Sequence, residues 1–147
     1  MDLSMQPEIR VEGSAWIFLA VLLVLLPLRW VLSALSAALI HELSHILMLK
    51  LLCVPIFGIR IGARGAVLST GAMTNRQELL CALAGPVGSF SALILIRLFP
   101  RLALCALVQG LYNLLPFYPM DGGRAVKSGI LLLLGKRPCK RKKVGVQ

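Results

Sequence analysis

Few residues in this chain are able to do chemistry. There are two histidines, and both fall in the run His41-Glu42-Leu43-Ser44-His45. Positions i and i+4 of a helix share a face, so both imidazoles can hold one metal ion while Glu42 reaches a water activated by it. This H-E-x-x-H spacing is that of zinc hydrolases. Their chemistry needs neutral nitrogen ligands, a third ligand, an open coordination position, and a carboxylate to take a proton from water whose pKa zinc lowers to about 7. The plainer alternative is a polar pair buried at a helix interface. Two imidazoles and a carboxylate in one apolar stretch are costly, however, and that cost favours a functional role.

A third ligand must supply another nitrogen, sulfur or carboxylate. Downstream of the run the acidic residues are Glu78 and Asp121. Glu78 stands at a helix start, where it serves as a cap or dipole partner. Asp121 follows Pro116-Phe117-Tyr118-Pro119, where two prolines interrupt a regular helix, and precedes Gly122-Gly123. Asp121 is therefore the expected third ligand, against the alternative of a turn-forming Asp-Gly. Cys53, Cys81, Cys105 and Cys139 form no C-x-x-C pair, so no thiolate site is spelled out and they read as reduced thiols, three of them small buried hydrophobes.

The surrounding elements are those of a membrane protein. The 147 residues are 58% hydrophobic and 15% charged, against about 25% charged in soluble domains. That composition argues against a soluble enzyme, and mean hydropathy +0.84 with apolar residues in long blocks excludes a disordered or low-complexity chain. The net charge is +10, and six bases lie between Lys136 and Lys143; beside membrane spans such a run marks a cytoplasmic end facing anionic lipid rather than nucleic acid. Asp2, Glu8 and Glu12 ahead of the first apolar segment argue against a signal peptide, so that segment is expected to be retained.

Ala15 to Val54 is apolar over about 40 residues, roughly twice what one crossing helix needs, with Pro27, Arg29 and Trp30 marking the turn between two helices. The glycine-rich stretch from Pro55 to Gly71, with Arg60 and Arg64, reads as a pair of short strands. Glu8 to Glu12 alternates as a further short strand. Thr74 or Asn75 caps a third helix running to about Phe99, and Gln77 or Glu78 closes its capping box. Leu102 to Leu115 is a fourth apolar stretch, and Ala125 to Gly135 is too short to span and lies at the interface or against the bundle.

The fold class is thus an all-α polytopic membrane protein with about four transmembrane helices and a short β-strand pair between the second and third. It comprises an N-terminal segment over residues 1–14, one membrane-embedded domain over 15–135 and a basic cytoplasmic tail over 136–147. An even number of crossings puts both termini and the loop holding Arg60, Arg64 and Arg76 on the cytoplasmic side of the cell membrane, leaving Arg29, Arg97 and Arg101 outside. With the second helix running inward to Lys50, His45 lies about 7.5 Å and His41 about 13.5 Å from that charge along the axis, within reach of cytoplasmic water.

Three pieces together resemble the site-2 protease family of intramembrane zinc metallopeptidases, in its small bacterial branch. They are Ile40 to His45, Leu83-Ala84-Gly85-Pro86, and Tyr112-Asn113-Leu114-Leu115-Pro116-Phe117-Tyr118-Pro119-Met120-Asp121-Gly122-Gly123-Arg124. The resemblance implies a three-helix core in which His41, His45 and Asp121 hold Zn2+ and Glu42 is the general base. It also implies that Asn113 contacts substrate and that the strands near Ile56 to Leu68 receive an unwound segment of a membrane-tethered protein substrate in the lipid bilayer. The additional C-terminal helices and the PDZ or cystathionine-synthase-type regulatory domains of some relatives are not expected.

The same residues leave two other functions to weigh. A non-catalytic adaptor of this fold would not need all four chemical residues, and a membrane zinc carrier would need access from both faces and a second polar relay. Gly85, Gly88, Ser89 and Ser91 read as a small-residue face for close helix packing. Arg124 reads as a charge at the cytoplasmic boundary.

Overall fold

The computed structural model describes residues 8–62, 65–117 and 120–135. The basic tail, Cys139, Arg64 and Pro119 lie outside the described residues. Strand β1 (Glu8–Val11) leads into helices α1 (Gly13–Leu25) and α2 (Leu28–Leu51), strands β2 (Ile56–Gly62) and β3 (Gly65–Thr70), and helices α3 (Asn75–Ser91), α4 (Pro100–Asn113) and α5 (Asp121–Leu133).

Leu26 and Pro27 separate α1 from α2, where proline at a helix start replaces an amide that would have no partner. At its other end α2 stops in a Schellman motif. Val54 N–H donates to the Leu49 carbonyl and Cys53 N–H to the Lys50 carbonyl, with Cys53 at φ 52°. That backbone is the left-handed form usual at this position, normally supplied by glycine. Val54 and Leu49 then pack together with Cys81, fixing the direction in which the chain leaves for the sheet.

The sheet has three strands in the order β1-β2-β3, with β1 parallel to β2 and β2 antiparallel to β3. The expected strand pair is therefore present, and the N-terminal strand joins it. Helix α3 opens with the expected capping box, formed by Thr74 and Gln77. Gln77 Nε2 also donates to the Leu52 carbonyl at 3.4 Å, tying the start of α3 to the end of α2.

Helix α3 is central and packs on α2, α4 and α5. Its α-helical part ends at Ser91, short of the expected Phe99, and continues as a 3-10 turn over Ala92–Leu95. Ser91 Oγ donates to the Gly88 carbonyl at 2.6 Å, and such local bonding competes with the helical ladder. Helix α5 starts at Asp121, four residues earlier than the apolar pattern indicated, because Gly122 and Gly123 carry no apolar signal yet remain helical. An acidic residue in the first turn suits the positive end of the helix.

Beside Val31, Leu49 and Val54, much of the interior is lined by small residues: Ala37, Ala82, Ala92, Ala103 and Ala106 are buried, while Leu32, Leu39, Leu47, Val87, Ile94 and Val108 face outward. That inversion is what helices packing in lipid show, since small side chains let backbones approach and apolar ones are already solvated outside. Among the described residues, two helical segments are long and apolar enough to cross a membrane, Leu28–Leu51 and Asn75–Leu95. Helix α1, which buries no residue, and helix α4 each extend about 20 Å along the axis, less than a hydrocarbon core of about 30 Å. Of the four expected crossings, two thus correspond to segments of full spanning length, and α1 is a shorter apolar helix.

Candidate metal centre

His41 and His45 sit one turn apart on the buried face of α2, and Asp121 is the first residue of α5. All three are buried. Asp121 Oδ2 lies 3.0 Å from His41 Nε2 and 3.0 Å from His45 Nε2, and the two Nε2 atoms are 3.3 Å apart. Their ligand atoms fall within 4.8 Å of one another, a group that can hold a metal ion.

Helix α3 makes this convergence sterically feasible. Residues 85 and 88 are glycines where α3 meets α2. A methyl group on Gly85 would press on His41 and His45, and one on Gly88 would collide with Ser44 Oγ. Ser44 itself donates to the Ile40 carbonyl at 2.8 Å, turned toward α3 rather than the ligand atoms. The same helix supplies partners for both outer ring nitrogens. His45 Nδ1 is 2.8 Å from the Cys81 carbonyl and His41 Nδ1 is 2.9 Å from Ser89 Oγ.

Glu42 is half-buried beside the ligands, and its Oε1 accepts the Ala66 N–H from β3 at 3.3 Å. The hairpin therefore reaches the carboxylate directly. On the far side of Asp121, Arg124 Nη1 lies 3.6 Å from Oδ1, while its Nε lies 4.0 Å from Glu78 Oε1. Asn113 ends α4 and is half-buried.

The sequence thus named the three converging residues and the adjacent glutamate. It missed Ser89, read only as packing, and Arg124, read only as a boundary charge. The Cys81 carbonyl and Ala66 amide left no side-chain signal to find. The donor set fits zinc: two imidazole nitrogens and one carboxylate oxygen are three protein ligands, the number that leaves a coordination position open.

A helical, outwardly apolar chain with a buried His, His, Asp group next to a glutamate defines a candidate membrane metalloprotein. Its fold is similar to that of the site-2 protease from Methanocaldococcus jannaschii, with a TM-score of 0.71 and 26% identity over 84% of this chain and 67% of that one. This likeness supports a site-2 protease family relationship. No family model and no curated protein matches the chain.

Proposed function

We propose that the chain is an intramembrane zinc metalloendopeptidase that hydrolyses a peptide bond in or next to a transmembrane segment of a membrane-tethered protein. The observation that carries this reading is the meeting of His41 Nε2, His45 Nε2 and Asp121 Oδ2 beside Glu42, in a fold like that of a site-2 protease.

His41, His45 and Asp121 would hold the zinc, which when bound supplies Lewis acidity and lowers the pKa of water. Ala66 N–H orients Glu42 through Oε1. Oε2 is the oxygen we assign to taking the proton from the attacking water and passing it to the leaving amine. Asn113 is assigned to substrate contact. A helical peptide bond is shielded by its own hydrogen bonds, so the scissile segment must be extended when it reaches Glu42. Residues 15–135 form one membrane-embedded domain in this reading, with four crossings, both termini cytoplasmic and the short helices α1 and α4 completing the count.

Elemental analysis of detergent-purified protein tests the reading. One zinc per chain is expected in wild type, with loss in His45→Ala and Asp121→Ala. A folded wild type without zinc, or full retention in both variants, removes the metalloprotease mechanism.

A further inference from the structure

Both imidazoles aim Nε2 at the candidate metal centre, and what each ring does there depends on its other nitrogen. For His45 the partner fixes the proton. A carbonyl only accepts, so the Cys81 oxygen at 2.8 Å requires hydrogen on Nδ1, leaving the Nε2 lone pair of the neutral ring for a metal. For His41 the partner is a hydroxyl, which accepts or donates.

Ser89 is fully buried at 0% exposure, so bulk water does not compete for its oxygen. Its seat depends on α4 as well as α3. A methyl group on Gly110 would lie 3.1 Å from Ser89 Cβ, tighter than ordinary contact. Glycine at this position lets α4 back Ser89 against the His41 ring. Three helices thus meet along the line from Gly110 through Ser89 to His41, and the hydroxyl is the polar atom in that line.

We propose that Ser89 is a positioning residue: its Oγ accepts the Nδ1 proton of His41 and fixes the tautomer and ring orientation in which Nε2 ligates the ion. This inference rests on the zinc reading above. It adds a residue 48 positions from its partner that the H-E-x-x-H spacing does not specify. Hydrogen bonds of this kind to ligand imidazoles generally set both orientation and metal affinity.

With two histidines in the chain, imidazole nitrogen NMR on histidine-labelled, zinc-loaded protein resolves each ring. Wild type should show a hydrogen-bonded, slowly exchanging proton on His41 Nδ1. Ser89→Ala should shift that signal and speed its exchange, leave the His45 signal in place, and weaken zinc binding in chelator competition by about 10- to 100-fold. Ser91→Ala removes a hydroxyl that bonds within α3 and should change neither readout.

A wild-type spectrum in which His41 Nδ1 carries no proton, or is itself the metal-bound atom, overturns the inference without any variant having to fold. Ser89→Ala protein with wild-type affinity and an unmoved His41 signal overturns it too. A wild type that takes up no zinc is a different failure, since it removes the metal reading on which the inference stands.

Discussion

Gly85 leaves no room for a side chain beneath His41: a methyl group there would lie 2.7 Å from both His41 Nε2 and His41 Cε1. Real side chains do not approach so closely, so one of the two helices would have to move. Gly85→Ala is expected to abolish zinc occupancy and to cost about 1–3 kcal/mol from overpacking. Elemental analysis and thermal unfolding in detergent check the two effects. Full occupancy in the alanine variant would contradict the close fit of α3 against the site.

Glu42 is positioned by the hairpin rather than by the ligands, through the Ala66 amide. Glu42→Gln keeps the shape of the side chain and removes its proton acceptor. Zinc content should therefore stay at the wild-type value while cleavage falls by about 10²–10⁴-fold. Cleavage of a tethered reporter in proteoliposomes, measured alongside zinc content, separates the two roles.

Zinc removal should also be visible in stability. The ligands come from α2 and α5, and an ion bound only by the folded state stabilises it by about 2.7 kcal/mol when free metal is 100 times Kd. Chelation should lower the thermal midpoint of wild type and leave that of His45→Ala unchanged. Restoring zinc should recover the wild-type midpoint; equal responses from both proteins would show that the chelator acts elsewhere.

Cys53 occupies a left-handed backbone position at φ 52°, which costs a residue with a Cβ about 1–2 kcal/mol. Cys53→Gly should raise stability by up to about 1 kcal/mol, the relief being offset in part by the entropy of glycine in the unfolded chain. Because Cys53 follows α2 beyond His45, zinc content should not change. Thermal unfolding of the two proteins measures the difference.

The parts legible in the sequence are those whose cause is local. His41, Glu42 and His45 are read together because helical periodicity alone puts them on neighbouring faces, and Pro27 marks a helix break wherever it stands. Asp121 was reachable by elimination, since few acidic residues follow the histidines. Ser89 was not, because a serine in a row of small residues looks like packing until a distant ring is placed against it. The joining of β1 to the hairpin was equally obscure: four exposed residues acquire meaning only when Ile59 and its neighbours line up beside them. The α-helical part of α3 passes into a 3-10 turn after Ser91, a change of winding that the continuous apolar pattern does not reveal.

The parallel pairing of β1 with β2 imposes a parity on the chain. Parallel neighbours in one sheet require a crossover that runs from the end where the first strand stops back to the end where it began, and here that connection is α1 followed by α2. Whatever thickness α1 carries the chain across, α2 must carry it back. In the proposed membrane topology, Glu8–Val11 and the hairpin that reaches Glu42 therefore share one side of the bilayer, and an impermeant reagent is expected to find both or neither.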